Sequence, residues 1–189
     1  MTESSLSQKT TILEVNLRGA FMMQSCDLEM ALLHIMLYCL VDEEQNTIVK
    51  NGFKGMMMNE KIKKTIEVLK TYRPNKYVEY ESYFDQLNEL KTIRNQMAHC
   101  IMNWDKIESE NMSFEFLEIT KEENEHEKFN PVKLNVRDAY VKLTEFRVII
   151  LKIAELASFI QEEFREKYPG ILKPKELSLR IIKGTPFGT

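Results

Sequence analysis

The chain has 189 residues, 43% hydrophobic and 29% charged, with a formal net charge of −3. It is long enough to bury a core, and this balance excludes a disordered or fibrous chain. A pI near 5.8 excludes a protein that coats nucleic acid over a broad basic surface, while a local basic cleft stays compatible with it.

Six glycines and five prolines are too few to turn a sandwich or barrel every dozen residues, so long helices are expected. Residues 1–11 form a polar N-terminal segment without the apolar stretch of a signal peptide. From Ile12 to about Leu40, apolar residues recur at helical spacing through Leu17, Phe21, Leu28, Leu32, Ile35 and Cys39. Met22, Met23, Met30, Leu33, Met36 and Leu37 widen that stripe beyond one face. A helix this wide is either the central helix of a monomeric bundle or one side of a dimer. Its apolar run from Met30 to Val41 falls short of the ~20 residues a membrane span needs, so no membrane contact is expected. Cys26, Cys39 and Cys100 are odd in number and set in apolar helical pattern, which points to a reducing, cytoplasmic setting with no disulfide and no metal site.

Asn51-Gly52 marks a turn, after which Ile62, Ile66 and Leu69 define the core side of a second helix that Arg73-Pro74-Asn75 stops. A third helix runs from Tyr77 through Phe84, Leu87, Leu90, Met97 and Ile101 to Trp104. Between Ser113 and Val136 the period changes to two, predicting a small β-hairpin whose loop is Glu122 to Pro131. Asn135, with Asp138 three residues on, reads as the N-cap of a last helix through Phe146, Ile150, Ile153 and Ile160 to about Lys167. The expected fold is all-α: an antiparallel bundle of four to five helices over residues 12–168, with a hairpin inserted at 113–136 and an extended tail at 169–189.

The segment that carries chemistry is Arg94-Asn95-Gln96-Met97-Ala98-His99. On a helix Arg94 and His99 point about 140° apart, with Asn95 between them, so one polar edge presents a guanidinium, an amide and an imidazole. The bland alternative is that Arg94 pairs with Glu89 or Asp85 while His99 closes a helix against its dipole. His34, inside an apolar helix, reads as a core or interface residue, and His126 as a solvated loop residue. No Gly-rich phosphate loop and no metal-binding His/Glu spacing is present, so neither a cofactor nor a metal is expected.

The stretch from Leu90 to His99, near the end of a third helix and followed by one more long helix, resembles the signature of the HEPN superfamily. Leu28-Glu29-Met30 is similar to the acidic position on that family's first long helix, and Lys61-Ile62 with Leu69 to its second. The resemblance implies an all-α bundle that dimerises with the two motifs facing each other and, in active members, a metal-independent ribonuclease. It makes Arg94, Asn95 and His99 the site, with Glu29 as a supporting acid; as a buried acid Glu29 could equally pair with a Lys or Arg for structural reasons. The chemistry fits these residue types. An RNA strand carries its own nucleophile, the 2′-hydroxyl. An imidazole with an ordinary pKa near ~6.5 can take or give the proton, and a guanidinium can hold the phosphate.

Three readings of function stay open on the sequence. The first is a homodimeric endoribonuclease on single-stranded RNA, leaving a 2′,3′-cyclic phosphate, as a toxin or defence effector with an antitoxin partner. The second is a HEPN-like dimerisation or binding module without catalysis. The third is a subunit that joins a nucleotidyltransferase or another protein through its hairpin and its Lys173 to Lys183 tail.

Overall fold

The computed structural model describes residues 3–40, 52–99, 101–102, 113–121 and 127–169. This chain is all-α in class. Among the described residues there are four long helices: α1 (Glu3–Cys39), α2 (Met58–Tyr72), α3 (Pro74–His99) and α4 (Val136–Lys167). Three strands, β1 (Ile101–Met102), β2 (Ser113–Lys121) and β3 (Glu127–Asn135), lie between α3 and α4 in the chain.

Local chemistry sets the helix ends. The Met57 N–H donates to Glu60 Oε2 (2.8 Å), satisfying an amide that the start of α2 leaves without a carbonyl. Arg73 is the single residue between α2 and α3, and Pro74 opens α3, where a missing N–H costs nothing. At the start of α4 the Arg137 N–H donates to the Asn135 side chain (2.8 Å), with Asp138 in the first turn, so the cap read from the sequence is present. Tyr168 N–H donates to Phe164 O (2.9 Å) as α4 ends one residue before Pro169.

The core is one apolar cluster shared by all four helices, with Leu17, Phe21, Leu28, Leu32 and Ile35 of α1 at its centre. Pairwise contacts fix the sense of the helices. Phe21 stacks on Phe146 (6.2 Å between ring centroids) and Tyr38 meets Phe164 edge-on (5.4 Å), so α1 and α4 advance together. Glu29 meets Lys61, and Cys39 lies in the field of Arg73, so α2 also runs with α1. Against α4, α3 runs backwards: Lys76 sits over the Phe159 ring, Tyr80 and Tyr83 near Lys152, and Glu89 and Ile93 near Lys142 and Glu145. Only α3 opposes the other three. An antiparallel bundle was the expectation from the sequence. Long connections before α2 and before α4 relieve α1, α2 and α4 of the need to alternate, whereas the one-residue joint at Arg73 forces α2 and α3 to do so.

Three boundaries differ from the sequence expectation. Helix α1 begins at Glu3 rather than Ile12. Once a packed nucleus exists, propagating a helix outward through polar residues costs little. Helix α3 stops at His99, and Ile101–Met102 pair antiparallel with Leu117 and Phe116 instead of continuing to Trp104. Strand β3 starts at Glu127, so Glu127 to Pro131 are paired with β2 rather than looped. Pro131, opposite Leu117, is tolerated because β3 is an edge strand, where alternate N–H groups face away from the neighbour. Trp104, Cys100, His126 and the tail from 170 on, including Lys173 to Lys183, lie outside the described residues.

Candidate functional site

Residues 94–99 form the last turn and a half of α3. Leu90 and Met97 are buried on the core side of this stretch, and Asn95 is exposed on the other side. For Arg94 and His99 the structure describes the helical backbone position alone. Counting both helices from their joint at Arg73, α2 extends about 22 Å while position 94 lies about 31 Å out. The motif therefore sits about 9 Å beyond the start of α2, level with the first turns of α4.

Glu29 has a partner on α2. Lys61 Nζ donates to Glu29 Oε2 at 2.7 Å, with the lysine side chain buried and the carboxylate about one third exposed. The same Nζ lies 5.1 Å from the centroid of the Phe53 ring. Burying an ammonium is costly unless it is paired, so Glu29 is the counter-ion that permits Lys61 to face α1. Counted from the joint at Arg73, Lys61 lies about 18 Å out on α2 and position 94 about 31 Å out on α3, about 13 Å further along the bundle.

The other titratable candidates serve the core. His34 is buried, meets Tyr38 edge-on at 5.8 Å, and leaves its Nδ1 without a partner among the described residues. Desolvation lowers its pKa, so the imidazole is neutral in the fold. Burial pushes the Cys39 thiol up to about 11, which makes it unreactive. Cys26 is a free, exposed thiol on α1.

A cleft of about 130 Å³ lies between α3 and α4, with Glu89, Ile93, Lys142 and Glu145 in its wall. On the register of α3 it falls on the side away from Asn95, so it does not open onto the polar edge of the motif. Among the described residues no group of three or more His, Cys, Asp or Glu side chains is placed to hold a metal ion. One stretch of α1, Val15–Cys39, is long and apolar enough to cross a membrane by length and composition, and half of its most apolar window is buried against the other helices.

Sequence reasoning missed Lys61, because a lysine in a charged helix reads as surface; the signal that could have found it is its spacing beside Ile62 and Thr65 on the buried side of α2. No protein-family model matches this chain, and neither a curated protein nor a solved structure does.

Proposed function

We propose that this chain is a homodimeric, metal-independent endoribonuclease of HEPN type acting on single-stranded RNA in the cytoplasm, with its helices as a bundle in which α3 runs against the other three and β2–β3 as a hairpin insertion. The observation that carries this reading is the place of Arg94-Asn95-Gln96-Met97-Ala98-His99: the last turn and a half of α3, beyond the start of α2, with Asn95 exposed. In the proposed reaction the 2′-hydroxyl oxygen attacks the adjacent phosphorus as His99 takes its proton. The bond from phosphorus to the 5′-oxygen breaks, and an imidazole, the same residue of a second copy, protonates the leaving oxygen. Arg94 holds the phosphate and offsets its growing charge, and Asn95 hydrogen-bonds the phosphate or orients the ring. Both the acid and the base are supplied by histidine, so the chemistry needs no metal.

The dimer is supported by Val15, Met22 and Met23, apolar and exposed on the outer side of α1. Leaving such surface in water costs roughly 25 cal/mol per Å².

Purified full-length chain, incubated with a labelled single-stranded RNA in the presence of EDTA, is expected to give 2′,3′-cyclic phosphate and 5′-hydroxyl ends. His99→Ala and Arg94→Ala should each slow cleavage by about 10²- to 10³-fold with helical content unchanged. Wild-type chain that cuts no RNA, or variants that cut at the wild-type rate, would overturn the nuclease; an intact dimer without cleavage points to the binding module instead.

A further inference from the structure

The charge of this chain is unevenly placed. Between positions 52 and 76 there are seven Lys and Arg residues and only two Glu, a local +5, while the rest of the chain carries −8. Much of that local charge is already held. Lys61 is paired with Glu29, Lys64 with Glu67, Arg73 with Glu163 and Lys76 with Glu79. Glu60 is occupied by the Met57 N–H at the helix start. Three exposed lysines are left over, Lys54, Lys63 and Lys70, and none meets a carboxylate among the described residues; Lys70 lies over the Tyr77 ring (4.6 Å).

We propose that the outward face of α2, with the turn before it, binds the phosphate backbone of single-stranded RNA through Lys54, Lys63 and Lys70. Only the choice of RNA among polyanions rests on the nuclease reading. Lys63 and Lys70 are seven residues apart, so they stand on one side of the helix about 10 Å from each other. Because α2 and α3 run in opposite senses from Arg73, the line from Lys70 to Lys63 points toward the C-terminal end of α3, where residues 94–99 lie, and Lys54 stands exposed in the turn before α2. A strand laid on these lysines is led to the motif. A membrane fits this face less well than RNA does, since Ile62, Val68 and Leu69, the apolar side of α2, are buried and the exposed large apolar residues here, Met57 and Tyr72, stand at opposite ends of the helix rather than as one inserting face. Lysine meets phosphate as a mobile point charge, which suits a flexible strand better than the planar carboxylates of an acidic protein.

The test is fluorescence anisotropy of a labelled single-stranded RNA oligonucleotide with the full chain across a salt series. Lys54→Gln/Lys63→Gln/Lys70→Gln should weaken binding by about tenfold and flatten the slope of log K against log salt by about 2, as three lost contacts at ~0.7 each require. Lys142→Gln/Lys152→Gln/Lys167→Gln, which removes the same charge from α4, should leave the slope unchanged. Equal shifts in the two triple variants would reduce the effect to net charge and overturn the proposal. So would unchanged binding by the α2 variant, or wild-type chain that binds anionic vesicles and not RNA. RNA that binds through α2 but is never cut sinks the nuclease and leaves this surface standing, whereas normal cutting and binding by the α2 variant sinks the surface alone.

Discussion

One line along α1 passes through Val15, Gly19, Met22, Cys26, Met30, Leu33 and Leu37, on the side opposite Leu17, Phe21 and Leu28. Its first members are exposed, Val15 at 62% and Met22 at 41%; Met30 and Leu33 are half-buried; Leu37 is 4% exposed. The residues are apolar or small throughout, so composition does not make the difference. Helix α2 does: it is 15 residues against the 37 of α1, and it engages α1 from Glu29 onward. The C-terminal half of α1 is a buried core helix, and the N-terminal half is an amphipathic surface helix with an apolar outer side. Burial of a wide stripe is thus set by the length of the neighbour, and the Lys61–Glu29 pair stands at the border.

The sharpest way to break this comparison is to cut equal volume from each half. Ile35→Ala, at a fully buried position of the covered half, should cost about 2 to 5 kcal/mol, because it leaves a cavity inside a core cluster of fully buried side chains. Met23→Ala, in the uncovered half, should stay within about 0.5 kcal/mol. Urea unfolding with an unchanged m-value measures both. Comparable losses at the two positions would mean that the outer side of the first half is also covered.

At the border, Glu29→Ala strands a buried ammonium. The expected loss is about 2 kcal/mol, below the 3 to 5 typical of fully buried pairs because the carboxylate is partly exposed. Replacing both partners, Glu29→Leu with Lys61→Met, should recover most of that loss, since the pair's value lies in mutual neutralisation rather than in net stabilisation. If Glu29 serves as the counter-ion of Lys61 alone, RNA cleavage by the double variant should match wild type. A folded double variant that has lost cleavage would restore Glu29 to the site as a supporting acid.

Much of the fold was legible because helices with one buried side write it in spacing: Leu17, Phe21, Leu28, Ile62, Leu69, Phe84, Leu87 and Phe146 were all read as core and all are buried. Asn135 was legible for a local reason, an amide side chain placed to cap the helix after it. What could not be read depends on partners far away in the chain. The same sense of α1 and α4 follows from which helix meets which, and periodicity carries no direction. Ile101 recurs at helical spacing after Met97, yet it pairs with Leu117 because a strand edge is available there. Lys61 is buried only because Glu29 and Phe53 come to it. At the motif, sequence supplied the residue types and the structure adds the exposed Asn95 and the place of the motif in the last turn and a half of α3.

The smallest expected effect tests what the uncovered half is for. Gly19 lies in the middle of a 37-residue helix, and a methyl group built on it meets no atom within 4 Å. Among the described residues nothing requires glycine there, and a mid-helix glycine costs about 0.5 to 1 kcal/mol relative to alanine. In dilute solution, where the chain is monomeric, Gly19→Ala should therefore raise stability by that amount. If a second copy closes on the line of Val15, Gly19, Met22 and Cys26, the added methyl group stands where the two backbones approach, and dimerisation should weaken in the same variant. Light scattering over a concentration series reads the second effect while urea unfolding at low concentration reads the first. A variant that gains stability and keeps the wild-type dimer would move the interface off α1, and the half of the helix that α2 fails to reach would be plain surface.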